Sequence, residues 1–336
     1  MMGLQAARWA RRGGLLAGVL LLAVLPWLLP SYQLILFETG LCFGIMGLGF
    51  NLLLRHTGLL SFGHGAYFAV GAYTVAMIGR YLPGLYTLEL LVPAAVAASG
   101  IVAAVFGFVC VRHTRIFFSI LTLALSMLVF ALLVKLYYLT GGSDGIRAAI
   151  PPILGHTFQG MRRPQFLSGF YYHFLLGIFL GATALMYMLI NSPFGKALQS
   201  VRDNEVRAEM IGIRVRQFRW RAFVISGMYA GLAGGLWSFV NGHVTPEVAH
   251  WVFSGEVVYM TLLGGFKTFA GPVVGAVLFT FLKLYAISGT EYWMLIIGAT
   301  LIGLVLLLPS GIMGAMAALL ARVQAQRAGD SHASGQ

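Results

Sequence analysis

The residues able to do chemistry in this chain of 336 fall into two unlike groups. Glu38, His64, Lys135 and Glu256 stand singly inside apolar runs. Holding an ionisable group there costs at least about 2.5–3.5 kcal/mol, so such residues either line a polar path or snorkel to an interface. Lys135, at the end of its run, is expected to snorkel, and Glu38 to lie near an interface. His64, between Gly63 and Gly65, reads as a hydrogen-bonded packing residue or a path residue, and Glu256 is the least comfortable in lipid. Four scattered groups without an evident partner do not resemble a proton pump's carboxylate chain or a sodium site. The second group, Arg202, Asp203, Glu205, Arg207 and Glu209, crowds one polar stretch.

Enzymatic motifs are missing. The nearest approach to a phosphate-cradling P-loop is Gly195-Lys196, but Ile190 stands where the first glycine belongs and Ala197 where Ser or Thr would hold magnesium. There is no His-Glu-x-x-His, Gly-x-Ser-x-Gly or Cys-x-x-Cys, so hydrolase and redox chemistry lack a carrier. Cys42 and Cys110 lie in apolar runs and read as packing residues.

The elements holding these residues must be membrane helices. Hydrophobic residues make up 59% of the chain and charged ones 10%, against roughly 45–50% and 25% in soluble domains. That excess excludes water-soluble enzymes, nucleic-acid binders and secreted modules. Apolar runs of about 20 residues are expected over 13–30, 34–54, 59–79, 88–111, 116–138, 170–190, 222–241, 252–266, 271–288 and 291–308. Glycines interrupt the third run and Glu256 the short eighth, so broken or partial helices are expected at both.

Ten crossings can be tested against charge. With the N-terminus cytoplasmic, sixteen of the 22 Lys and Arg fall inside; Arg80, Arg147, Arg162 and Arg163 fall outside, with Lys135 and Lys283 near span ends. This is the positive-inside pattern, and it places both termini in the cytoplasm. The net charge of +12 therefore records orientation rather than a nucleic-acid partner.

An all-α polytopic fold follows, with one transmembrane domain over 1–321 and a short polar tail over 322–336. Its external loop, 139–169, is rich in turn residues. Its cytoplasmic loop, 191–221, is expected to hold a helix over 198–213, with Leu198, Val201, Ala208, Ile211 and Val215 on one apolar stripe and mixed charge opposite. Mixed charge beside an apolar stripe suits docking into a partner's groove. The basic run Arg214, Arg216, Arg219 and Arg221 suits anionic headgroups at the inner leaflet. Small residues at four-residue spacing, Gly227, Gly231, Gly235 and Gly271, Gly275, allow close helix approach, most simply within the chain.

The order of several short motifs resembles the LivM-type permease subunits of ABC importers for branched-chain amino acids. They are the stretch from Gly49 to Tyr67 (GFNLLLRHTGLLSFGHGAY), Gly141-Gly-Ser-Asp-Gly145, Ser192-Pro-Phe-Gly-Lys-Ala-Leu198 continuing to Arg202-Asp-Asn-Glu205, Ala208 and Gly212, then Gly264-Gly265, Gly271-Pro272 and Leu308-Pro-Ser-Gly311. The Glu205–Gly212 stretch looks like the family's ATPase-docking loop, with Val206 and Arg207 separating Glu from Ala. The resemblance implies a multi-pass protein of the bacterial inner membrane, paired with a second homologous permease, two cytoplasmic ATPase subunits and an extracytoplasmic substrate-binding protein. ATP and magnesium would belong to the ATPases, with no cofactor or metal in this chain. It further implies ATPase coupling by Arg202, Asp203, Glu205, Ala208 and Gly212, and a path along Asn51, Ser61, Gly63, His64 and Glu256. Gly142, Ser143 and Asp144 would meet the binding protein. An ion-coupled secondary transporter of a small polar solute is the alternative that the internal charges leave open.

Overall fold

The structure, a computed structural model, is described for residues 18, 20–153 and 160–319. The expected first span is helical over 20–28, while Arg8, Arg11, Arg12 and the tail 322–336 lie outside the described residues. Helix then follows helix, because in lipid each apolar segment must satisfy its own backbone hydrogen bonds. The long elements are α1 (Ser31–Thr57), α2 (His64–Tyr81), α3 (Leu88–Cys110), α4 (Arg115–Lys135) and α5 (Tyr172–Asn191). Two short helices follow, α6 (Pro193–Asp203) and α7 (Glu205–Met210), and then α8 (Val215–Asn241), α9 (Trp251–Gly264), α10 (Gly271–Gly289) and α11 (Trp293–Leu307). Among the described residues, six stretches are long and apolar enough to cross a membrane: α1, α3, α4, the segment Arg163–Asn191 that ends in α5, α8 and α10. The two interrupted runs are indeed partial. Residues 58–63 are not helical, and α9 has 14 residues, about 21 Å.

The non-helical stretch before α2 needs partners, and α4 provides them. Ser119 donates to the Leu60 carbonyl at 2.6 Å, and the Phe62 N–H donates to Thr122 Oγ1 at 3.1 Å. Gly58 caps α1 in the left-handed conformation, and its N–H bonds the Leu53 carbonyl.

Helix α8 lies at the centre, against α1, α2 and α3. Its glycine spacing serves contacts within the chain. A Cβ on Gly227, Gly231 or Gly235 would strike Ala103, Ser99 or Ala95, a descending ladder on antiparallel α3. On another face, a Cβ on Gly234 would lie 2.0 Å from the Phe68 carbonyl oxygen of α2. At the far end, α9 and α10 approach equally closely, with Gly264 against the Gly271 carbonyl. Both cysteines are buried and free.

Opposite outcomes are expected for two alanine substitutions. Gly234→Ala forces backbones apart and should cost about 1–3 kcal/mol. Gly177→Ala, on α5 with nothing within 4 Å, should stabilise by about 0.5–1 kcal/mol. Thermal unfolding in detergent reads both, and equal shifts would contradict the packing described.

Candidate functional site

The mixed-charge stretch folds at the arginine-rich end of the bundle as an elbow rather than one helix. Pro193 opens α6, whose last residue is Asp203. Asn204 is extended (φ −159°, ψ 105°), and its side-chain oxygen accepts from the Arg207 N–H at 2.9 Å, starting α7 anew. Gly212, at φ +87°, closes α7: its N–H reaches the Glu209 carbonyl, and the Ile213 N–H reaches that of Ala208. This double bond pattern needs a left-handed residue, which accounts for the glycine.

The break redirects the apolar stripe. Leu198, Val201, Ala208 and Val215 are buried as expected, and the last three pack together with Ile213. Ile211 is not part of that core; it is 71% exposed, and Val206 and Met210 stand out beside it. These three apolar side chains point away from the bundle, where no other described element covers them.

The charged residues of the elbow mostly hold it to its own bundle. Arg202 donates to the Arg55 carbonyl at the end of α1 at 2.6 Å and pairs with Asp203 at 2.7 Å. Gln199 bonds His56 on the same helix end. Glu205 accepts two bonds from Arg219, at 2.7 and 2.9 Å. Arg219 therefore leaves the expected basic surface and turns inward, its side chain 8% exposed. Arg207 and Glu209 face solvent.

Deeper in the bundle, Asn51, Ser61, Gly63 and His64 are all buried. His64 Nε2 lies 2.7 Å from Ser226 Oγ, and Ser226 donates to the Gly49 carbonyl. Since that hydroxyl proton is committed, Nε2 must be the donor, which fixes the tautomer and ties α2, α8 and α1 together. Phe50 and Tyr67 enclose the ring edge-on. A Cβ on Gly63 would press on the Thr122 carbonyl.

Two ionisable residues depart from expectation. Glu38 is fully buried rather than interfacial, because its face of α1 packs beneath other helices; neither carboxylate oxygen has a hydrogen-bond partner among the described residues. Glu256 has a partner after all: Lys283 on α10 meets it at 2.5 Å. The pair lines a cavity of about 470 Å³ with Phe130, Glu247 and His250. Lys135 is exposed at the end of α4.

At the opposite end, Gly142 is buried while Ser143 and Asp144 are exposed. Their turn is braced by two short strands, β1 (Ile146–Arg147) and β2 (His243–Val244), paired antiparallel. His243 bonds the Asp144 carbonyl at 2.6 Å, and Arg163 bonds the carbonyls of Ala148 and Phe239.

Residues 34–305 match the family described as the permease component of the branched-chain amino acid transport system. The chain belongs to this family. It is 28% identical to the high-affinity branched-chain amino acid transport permease LivM of Escherichia coli K12, over 89% of this chain and 74% of that one. It is 25% identical to LivH of Salmonella typhimurium, over 82% and 92%. The guanosine ABC transporter permease NupQ of Bacillus subtilis is 28% identical over 47% and 50%. No solved structure matches the chain. It is thus a multi-pass ABC importer permease subunit, not an enzyme, and ATP hydrolysis resides in separate subunits.

In this permease, the residues that the spacing did not single out are Val206, Met210 and Arg219. The first two stand four residues apart, one helical turn, but outside the stripe that a continuous helix would present. Arg219 was hidden within a run of like charges.

The Glu205–Arg219 pair generates a cycle. Glu205→Ala strands a buried guanidinium and should destabilise by about 2 kcal/mol. Glu205→Ala with Arg219→Leu should regain most of that loss in thermal unfolding, whereas simple additivity would show that the two are not coupled.

Proposed function

We propose that this permease imports branched-chain amino acids across the bacterial inner membrane, with its elbow on the cytoplasmic face seated on an ATPase. The names of LivM and LivH support the substrate class, and their existence as separate permeases supports a heterodimer with a second homologous subunit. Two ATPases carrying ATP and magnesium, and an extracytoplasmic binding protein, complete the assembly. The observation that carries the reading is the exposed trio Val206, Met210 and Ile211, on a protrusion whose underside is fastened to α1 and α8. Apolar side chains exposed beyond the membrane-length helices suit a protein groove.

The fastening suggests how closure of the ATPases reaches the path. Arg202 and Gln199 hold the end of α1 one turn beyond Asn51. Glu205 holds α8 two turns before Ser226, the partner of His64. Approach of the ATPases moves the elbow, and with it both helices that flank Asn51, Ser61, Gly63 and His64. The pore opens outward, and product release resets it, as alternating access requires. Ala208 and Gly212 keep the elbow's shape. Glu256 would lie along the same path, on the helix whose Ser254 accepts from the Gly65 N–H. Gly142 would set the turn that offers Ser143 and Asp144 to the binding protein.

Leucine uptake by the reconstituted complex in vesicles should require internal ATP and survive an ionophore. Uptake that persists without ATP and collapses with the ionophore would identify an ion-coupled transporter instead. Met210→Glu should weaken ATPase attachment at least about tenfold, since burying such a side chain contributes about 1.5–3 kcal/mol. Arg202→Ala should leave the ATPase attached but lower the leucine carried per ATP hydrolysed, and unchanged stoichiometry would remove Arg202 from the coupling route.

A further inference from the structure

Three cavities run in series along α8 from the arginine-rich end toward the middle of the bundle. The first, about 550 Å³, lies where α3 ends and α8 begins, and is lined by Phe108, Arg112, Arg216, Trp220 and Arg221 among others. The second, about 280 Å³, shares Trp220 and Arg221 with it and continues past Leu189 and Ile225. Those two residues in turn line the third, about 350 Å³, which reaches Leu232 between α5 and α8.

Charge changes sharply along the series. Arg112 and Arg216 both lie over the Phe108 ring, at 4.8 and 5.3 Å from its centre, and neither they nor Arg221 has a carboxylate within 4.0 Å among the described residues. Three guanidiniums thus converge without a counter-charge, at the depth where Val111 caps α3. Beyond Arg221 the lining is apolar. Trp220 forms the wall between the two regions and is held by its indole N–H, which donates to the Ala104 carbonyl at 2.9 Å. From Arg221 to Leu232 is eleven residues of helix, about 16 Å, or half the thickness of a bilayer's hydrocarbon core. The neighbouring face of α3, with Ile101, Val105 and Phe108 exposed, is apolar as well.

We propose that this series is a binding site for one anionic glycerophospholipid of the inner leaflet. Its phosphate sits among Arg112, Arg216 and Arg221, where guanidinium forks match phosphate oxygens. One acyl chain passes Trp220 into the apolar groove between α5 and α8. The site abuts the elbow: Arg219, flanked by Arg216 and Arg221 on α8, is the partner of Glu205. The bound lipid steadies the start of α8 and therefore the elbow that rests on it. The inference rests on the reading of the arginine-rich end as cytoplasmic, but not on the identity of the substrate.

The test uses the assembled transporter in nanodiscs of phosphatidylcholine with trace pyrene-labelled phosphatidylglycerol, read by energy transfer from tryptophan. Phosphatidylglycerol should bind saturably, and Arg112→Gln/Arg216→Gln/Arg221→Gln should weaken it roughly 100-fold, from about 1 kcal/mol per arginine. Arg214→Gln, a neighbouring exposed arginine outside the cavity, should change it little. Ile225→Trp, which fills the groove and spares the charges, should weaken it too. Thermal unfolding confirms that each variant is folded. Equal binding by the triple variant overturns the site, as does displacement by glycerol phosphate alone, which would mark a free-anion pocket. Absence of saturable binding in this assembly would also overturn it, since the second permease would then be the occupant of the groove. If leucine uptake fails while lipid binding stands, the proposed substrate falls and the lipid site does not.

Discussion

Close approach of helix backbones is the constraint on which everything else rests. Lipid tails are as apolar as leucine side chains, so burial against lipid gives helices little reason to associate, and van der Waals contact with hydrogen bonding must hold them. Helix α8 meets this by presenting Gly227, Gly231 and Gly235 to α3 and Gly234 to α2. At such short range, small polar groups cross-link efficiently. Ser99 donates to the Tyr67 carbonyl, and His64, Ser226 and the Gly49 carbonyl form one chain across three helices. Bulkier residues would have kept these groups out of reach.

The same economy appears where the backbone abandons the helix. Between α1 and α2 the chain needs a turn that lipid would not tolerate, and Ser119 and Thr122 of α4 supply the missing partners. That turn is also where Arg202 lies, its side chain beside Gly58. The elbow therefore touches the bundle where its backbone leaves the helix.

Much of this was legible in the residue order. The apolar runs announce their helices because a span demands some twenty such residues; the interruption at Gly58–Gly63 marks a true break, whereas the run holding Glu256 is a short but unbroken helix. Other features were not. The stripe from Leu198 to Val215 keeps helical spacing across a break, so only the cap-forming Asn204 followed by Glu205 betrayed it. Glu256 and Lys283 are 27 residues apart on different helices, and nothing local links them. The depth of Glu38 depends on which face of α1 its neighbours cover, a tertiary matter. Arg219 looked like one more surface cation until Glu205 was placed beside it.

Helix α8 joins the elbow at its first turn and the paired strands at its last, since Val244 of β2 follows it within three residues of Asn241 and bonds back to Ile146. Twenty-seven residues of uninterrupted helix make a strut of about 40 Å. A strut does not pass on a push by deforming; it tilts. Because its middle is clamped between α1, α2 and α3, displacing one end by 1 Å turns it by about 2.9° about that pivot, over an arm of about 20 Å, and the far end swings the opposite way. The turn holding Ser143 and Asp144 would then register, as a countermovement on the other side of the membrane, whatever the elbow does on this one.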